Sequence, residues 1–174
     1  SEQAVRARKA EALARDEAAT ATALNEFLTG MFGSIDPDRA QGREVTVREV
    51  LDDAAGTEGG RFKARPRVEA MVRGTLGQTY AQIGKARQAK EQYREALTRF
   101  EAEYGPEDRN TLAAKRNLSG AAADLGEFEE SERLAREVLA TYERVYGEED
   151  LETIKCILEL GRVVQETAKV QEAE

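Results

Sequence analysis

The chain has 174 residues, of which 40% are hydrophobic and 34% are charged, and its formal net charge at pH 7 is -8. These values predict a soluble helical protein whose core is elongated rather than globular. The acidic balance disfavours nucleic acid as the main partner, because phosphate binding depends on clustered cations. No apolar run approaches the roughly 20 residues that cross a bilayer, so we expect no direct membrane insertion. The residues do not indicate a compartment.

A long helix is the first element that the sequence predicts. Residues 1–15 are rich in alanine, arginine and glutamate, and Glu11 and Arg15 have the spacing of a solvated helix. After Thr20 an apolar stripe at helical spacing follows, which must bury against the rest of the chain or against a partner. The stripe consists of Leu24, Phe27, Leu28, Met31 and Phe32.

A break and a short second helix are predicted next. Asp36 and Asp38 flank Pro37, but the spaced oxygen ligands of a calcium loop are missing, so we expect a helix cap and no metal site. The segment 46–49, Thr-Val-Arg-Glu, has the pattern of a capping box and predicts a helix that covers the first repeat. A flexible joint at 56–60 completes an N-terminal extension over residues 1–60.

Residues 61–174 repeat with a fixed period. Residues 62–103 align with 104–145 as two units of 42 residues, and a partial third unit spans 146–174. The aligned residues include Leu76/Leu118, Ala81/Ala123, Gly84/Gly126, Arg94/Arg136 and Leu97/Leu139, with Leu160 in the third unit. Each unit predicts an opening turn, and acids such as Asp108 and Asp150 there favour the start of a first helix. A glycine turn then leads to a second helix, which the pattern predicts over 88–101 and 130–145 in the two complete units. A helical bundle with accidental periodicity is the alternative, but a bundle has no reason to repeat its turn residues at a fixed interval.

The first unit resembles the tetratricopeptide repeat family. The residues that carry this resemblance are Leu76, Gly77, Tyr80, Gly84, Ala89, Tyr93 and Ala96. The unit length and the opening Tyr-Gly-Pro-Glu-Asp at 104–108 are similar to the kinesin-light-chain subtype. The second unit departs from the pattern at Ser119, Ala122, Ser131 and Ala135. The resemblance implies an all-α fold, a right-handed superhelix of helical hairpins that follows the N-terminal helical extension.

A second resemblance concerns the N-terminal extension. Residues 24–28 and 42–51, followed by such repeats, are similar to the region after the kinase domain and membrane anchor of bacterial receptor-like serine/threonine protein kinases. This implies an alternative function as the regulatory or sensor portion of a membrane-bound kinase. The glycine-rich loop, lysine and metal-binding acids of phosphoryl transfer are missing, so any kinase activity would lie elsewhere in a longer protein.

The sequence indicates no catalytic site. It contains no histidine, the commonest acid–base group and metal ligand. The single cysteine, Cys156, lies in an apolar run, which favours packing in the core over a reactive thiol. We therefore expect no enzyme activity, no catalytic residue, no cofactor and no metal.

The tetratricopeptide resemblance implies a concave groove, lined by the first helix of each unit, that holds a peptide or helix of a partner protein. The groove residues that it implies are Gln78, Arg116, Asn117, Asp124, Lys155 and Arg162. In the kinesin-light-chain subtype an asparagine at the place of Asn117 contacts the ligand backbone, since an amide donates and accepts at once. Thr75 and Glu159 stand at this place in the other units, so the ladder is incomplete. The alternative is that these are ordinary solvated residues.

Self-association is a further expectation. Apolar residues of the partial third unit, among them Ile154 and Ile157, lack a second helix to cover them. Exposed apolar surface of this kind favours pairing, so we predict a homodimer, formed through this end or through the stripe at residues 24–32.

Overall fold

The structure, a computed structural model, describes residues 2–33, 46, 49, 51–52, 54–56 and 65–172. Its helices are α1 (Glu2–Gly33), α2 (Pro66–Gln82), α3 (Ala86–Tyr104), α4 (Arg109–Asp124), α5 (Phe128–Tyr146) and α6 (Leu151–Gln171). The described residues contain no strand, and the predicted all-α class is confirmed. The predicted break at 34–38 and most of the joint at 56–60 lie outside the described residues.

The contacts between Cα atoms divide the chain into two units, Ser1–Val72 and Arg73–Glu174. In the first unit, the described side chains in the N-terminal half of α1 are exposed, and Arg15 donates to Glu11 over 2.6 Å. Among the described side chains of α1, the first buried one is Thr20, as the sequence predicts, and Phe27 is 2% exposed. The ring of Phe27 is therefore covered within this chain, and its part in an oligomer surface stays a prediction.

The remaining residues of the α1 stripe are less enclosed. Leu24 and Leu28 are half-buried, and the side chain of Met31 lies outside the described residues. Association through this stripe stays a prediction for these residues.

The capping box at residues 46–49 is confirmed. The backbone N–H of Thr46 donates to the Glu49 carboxylate over 3.0 Å, and the backbone N–H of Glu49 donates to Thr46 Oγ1 over 3.3 Å. Leu51 and Ala54 follow as buried helical residues. The reciprocal bonds satisfy backbone donors that a helix start otherwise leaves without partners.

The backbone of the second unit repeats every 42 residues. Both α3 and α5 have 19 residues, and their start and end positions differ by that period. Gly84 and Gly126, at the turn inside each hairpin, have φ of 72° and 78°, which a residue with a Cβ rarely adopts. The turns between hairpins use Gly105 and Gly147 in the same way, with φ of 84° and 90°.

The helices α4 and α6 begin after equivalent aspartates. Asp108 accepts a hydrogen bond from the backbone N–H of Asn110 over 2.8 Å, and Asp150 accepts one from Glu152 over 3.0 Å. An aspartate at this position satisfies an orphan donor and places negative charge at the positive end of the helix dipole. The turn that the sequence predicts before each of these helices is therefore confirmed.

Consecutive helices pack against one another from α3 to α6. One cluster of buried side chains joins three of them, and its members are Leu112, Val138, Tyr142 and Cys156. Burial raises the pKa of the Cys156 thiol, so the thiolate is disfavoured. The predicted role of Cys156 in the core is confirmed.

Candidate partner-binding face

Ion pairs join α4, the first helix of the second hairpin, to α6, the helix that follows that hairpin. Arg116 of α4 donates to the Glu152 carboxylate of α6 over 2.6 Å. The same guanidinium lies 3.8 Å from the carboxylate of Glu159, which is two turns further along the same face of α6. The side chain of Arg116 is 23% exposed, so these contacts hold α4 and α6 side by side at a partly buried site. We call Arg116, Glu152 and Glu159 the α4–α6 ion cluster.

The protonation of the ion cluster follows from burial and charge. Burial disfavours the charged form of Arg116, but the hydrogen bond and charge of Glu152 outweigh this effect and raise the Arg116 pKa. Hydrogen bonds from Lys155 and from Arg116 lower the pKa of Glu152. Burial raises the pKa of Glu159, against the attraction of Arg116 and Arg162. Arg116 therefore stays positively charged between two carboxylates, that of Glu152 with a lowered pKa and that of Glu159 with a raised pKa.

The other predicted groove residues have different surroundings. Asn117 is exposed on α4 beside the ion cluster, and its amide makes no hydrogen bond within the described part of the chain. Lys155 is exposed and donates to Glu152 over 2.6 Å, which links it to the cluster. Three more predicted residues are exposed, and no hydrogen bond to the described residues fixes them: Gln78, Asp124 and Arg162. The structure therefore brings Arg116 and Lys155 together through Glu152.

Glu152 is a residue of this face that sequence reasoning missed. The one local signal was its i,i+3 spacing to Lys155, which is common on helix surfaces. Its contact with Arg116 spans 36 residues and depends on how α4 and α6 lie side by side.

A second group of contacts fixes the turn between α5 and α6. The Arg109 guanidinium donates to both carboxylate oxygens of Asp150, over 2.7 and 3.3 Å, and lies 4.0 Å from the centre of the Tyr146 ring. The Tyr146 hydroxyl donates to the backbone carbonyl of Glu107 over 2.9 Å. The recurring tyrosine and aspartate of the unit opening therefore join successive turns to each other.

Several apolar side chains of α6 are exposed, whereas Val163 is buried and Leu160 is half-buried. Ile154 is 44% exposed, Ile157 is 46% exposed and Leu158 is 70% exposed. A homodimer through this surface stays a prediction.

The described residues contain no group of three or more histidine, cysteine, aspartate or glutamate side chains that could hold a metal ion. No described helix combines the length and the apolar character needed to cross a membrane.

A family model described as tetratricopeptide repeat matches residues 68–143 and 110–174. Among solved structures, the TPR-like repeats of a protein described as a kinesin light chain from Podosopora anserina match with a TM-score of 0.61 and 21% identity. That match covers 72% of this chain and 59% of the solved chain. BtubC (BKLC) from P. vanneervenii matches with a TM-score of 0.61 and 21% identity, over 92% of this chain and 69% of that one.

At these identities the structural matches show a shared fold. A search of curated proteins gives no significant match. The resemblance to the kinesin-light-chain repeats is thus confirmed for the fold. The resemblance of residues 24–28 and 42–51 to the region after bacterial kinase domains stays a prediction, as does the division of the chain at residue 60.

Proposed function

We propose that this chain, which belongs to the tetratricopeptide repeat family, binds an extended peptide or a helix of a partner protein on the face that α4 and α6 share. Repeats of this family generally mediate protein–protein interactions. The observation that carries the proposal is the exposed Asn117 amide, which has no hydrogen-bond partner among the described residues and lies next to the α4–α6 ion cluster.

The neighbouring ion cluster supports this function by preorganisation. Arg116 is held by Glu152 and Glu159, so its guanidinium stabilises the spacing of α4 and α6 before a partner arrives. A face whose side chains are already ordered loses less conformational entropy on binding. Asn117 is then free to donate one hydrogen bond to a peptide carbonyl and to accept one from a peptide N–H.

The charge of the face indicates the chemistry of the partner. Lys155 and Arg162 are exposed on α6, where Lys155 also donates to Glu152 and no hydrogen bond to the described residues fixes Arg162. A partner segment with acidic side chains would meet these cations without leaving a buried charge unpaired. We therefore expect the bound peptide to carry aspartate or glutamate beside the stretch that Asn117 contacts.

A peptide selection tests this function. A random-sequence peptide library is panned against the whole chain, and the affinity of the selected peptides is measured by fluorescence anisotropy. Asn117→Ala should weaken binding about tenfold, because loss of one bidentate amide contact costs about 1–2 kcal/mol.

Arg133→Ala is the matched control, since Arg133 is an exposed residue of α5, outside the first helices. Its affinity for the selected peptides should equal that of the unmodified chain. Equal binding by the Asn117→Ala variant would remove this face from the proposal.

A further inference from the structure

The α4–α6 ion cluster contains one close carboxylate and one distant carboxylate. Glu152 accepts a hydrogen bond from Arg116 Nη1 over 2.6 Å. Glu159 lies 3.8 Å from Arg116 Nε, which is too long for a hydrogen bond. A guanidinium carries five N–H donors in a fork that matches carboxylates. A second carboxylate can therefore bind Arg116 more closely than Glu159 does.

The surroundings of the two carboxylates act on their charges in opposite directions. Hydrogen bonds from Lys155 and Arg116 lower the pKa of Glu152, so its charged form is stabilised in the folded chain. Burial raises the pKa of Glu159, although Arg116 and Arg162 attract its charge. The charged form of Glu159 would therefore be more stable in water than at its place between the helices.

The carboxylate of Glu159 lies over a part of α4 that has no side chain of its own. A Cβ built on Gly120 would lie 3.6 Å from Glu159 Oε1, and no other described atom of a neighbouring helix lies within 4 Å. Gly120 is one turn after Arg116 on the same face of α4. Gln78 and Arg162, which have long side chains, stand at this place in the other units. The room beside Arg116 is therefore particular to the junction of α4 and α6.

The repeat puts Glu159 at a position that faces the proposed partner. Glu159 stands one period after Asn117, whose amide carries the proposed function. An amide donates and accepts, whereas an ionised carboxylate only accepts, so Glu159 cannot bond to a peptide carbonyl. Its oxygens lie instead beside Arg116 and Gly120 of the neighbouring helix. The Glu159 side chain thus occupies the room next to Arg116 in the groove.

A Glu159 side chain that leaves this room has another cation within reach. Arg162 follows at i,i+3 spacing on α6, is exposed, and is fixed by no hydrogen bond to the described residues. Oppositely charged side chains at this spacing attract each other on a helix surface. Glu159 can therefore separate from Arg116 without losing a cationic neighbour.

We propose that Glu159 is an internal competitor of the partner. An acidic side chain of the bound peptide displaces Glu159 from Arg116 and binds the guanidinium, while Glu159 turns to Arg162. This inference rests on the proposed function and deepens it, because it names Arg116 as the residue that receives a carboxylate of the partner. Glu152 stays bound to Arg116 and keeps α4 and α6 side by side.

Glu159→Gln tests the competition. The probe is a hexaglutamate peptide blocked at both ends, titrated into the whole chain. The readout is the Nε–H resonance of Arg116 in proton–nitrogen NMR spectra, assigned by its loss in Arg116→Lys. The Glu159→Gln chain should bind the probe at least about tenfold more tightly than the unmodified chain, because a neutral amide competes less for the guanidinium. Blocked hexaglutamine should leave the resonance in place in both chains.

Glu166→Gln is the matched control, because it removes the same charge from α6 two turns further along the same face. Its affinity for hexaglutamate should equal that of the unmodified chain. Thermal unfolding gives a second comparison. Glu159→Gln should leave the melting temperature unchanged or raise it, since burial disfavours the charge of Glu159, whereas Glu152→Gln should lower it.

Three results would overturn the inference. They are equal affinity of the unmodified and Glu159→Gln chains, an equal gain in Glu166→Gln, and an Arg116 resonance that hexaglutamate moves in neither chain. The proposed function survives each of them if Asn117→Ala still weakens binding of the selected peptides. A gain in Glu159→Gln together with full binding by Asn117→Ala would instead retain the competition at Arg116 and remove the role of Asn117.

Discussion

At the scale of single residues, the two helices of each hairpin approach closely because one residue on each helix is matched in size to a residue on the other. In the first hairpin Gly77 leaves room for the ring of Tyr93, which a Cβ would meet at 2.7 Å. In the second hairpin Ser119 and Ala135 occupy these places, so the larger side chain on one helix faces the smaller one on the other. Ser119 also bonds to the carbonyl of Ser131, which satisfies its buried hydroxyl. The departures at Ser119, Ser131 and Ala135 therefore compensate one another.

Exchanging this pair tests the compensation. Gly77→Ser alone should lower the free energy of unfolding by about 1–3 kcal/mol through overpacking against the ring. Tyr93→Ala alone should lower it by about 3–5 kcal/mol through a cavity. The double variant should lose less than the sum by about 1 kcal/mol or more, as measured by urea unfolding, because the serine then fills part of the cavity. Strict additivity would show that the two residues do not share a contact.

The charge of Glu152 stabilises the fold in a defined pH range. Hydrogen bonds from Lys155 and Arg116 lower its pKa from the ordinary value of 4.5. The folded state thus releases this proton more readily than the unfolded state, so the contribution is complete above pH 4.5 and disappears as the pH falls through the lowered folded value. Glu152→Gln should reduce the free energy of unfolding by roughly 1 kcal/mol at neutral pH and by less in acid.

Glu166→Gln is the matched control, because Glu166 also pairs with a lysine at i,i+3 spacing, Lys169 over 2.8 Å, at a more exposed site. Unfolding curves of both variants across the acid pH range show whether the stabilisation by Glu152 is lost as its carboxylate is protonated. A stability loss in Glu152→Gln that is the same at every pH would contradict the assigned role.

At the scale of elements, helix ends could be predicted where a turn glycine or a capping aspartate marks them in the sequence. The glycines at 84 and 126 and the aspartates at 108 and 150 marked helix ends in the sequence, and the structure has them there. The second helices were predicted too short, over 88–101 and 130–145, whereas they span Ala86–Tyr104 and Phe128–Tyr146. They begin after Lys85 and Glu127, which make no side-chain capping bond, so the sequence held no start signal there.

The candidate site was predictable to a smaller extent. Positions such as Asn117 followed from the family resemblance and the fixed period. The pairing of Arg116 with Glu152 did not, because it depends on the relative rotation of α4 and α6, which no local pattern encodes.

The turn inside the second hairpin gives a prediction for an element. Gly126→Ala should lower the free energy of unfolding by about 1–2 kcal/mol, because φ at this residue is 78° and a Cβ is strained there. Gly74→Ala is the control: it lies inside α2 with no atom within 4 Å of an added Cβ, so it should stabilise by about 0.5–1 kcal/mol. Thermal unfolding followed by circular dichroism measures both, and equal destabilisation of the two variants would contradict the assigned turn.

At the scale of the whole molecule, leucines at equivalent positions of successive repeats contribute unequally to stability. Leu118 is 4% exposed between α3 and α5, whereas Leu160, one period later on α6, is half-buried. Leu118→Ala should cost about 3–5 kcal/mol, and Leu160→Ala should cost less, because the removed methyl groups of Leu160 already contact water. Urea unfolding of the two variants gives the comparison. A larger loss for Leu160→Ala would mean that α6 is enclosed more fully than α4.

A disulfide between the helices of the second hairpin tests most directly that residues 104–146 fold as a tetratricopeptide hairpin. The hydroxyl oxygens of Ser119 and Ser131 are 3.1 Å apart, so cysteines at these places lie within reach of a disulfide. Ser119→Cys with Ser131→Cys, in a Cys156→Ala background, should lose both free thiols within one molecule on mild oxidation. Ser119→Cys with Arg133→Cys, where Arg133 is exposed, should not. Equal crosslinking of the two pairs, or none in either, would contradict the packing of α4 against α5.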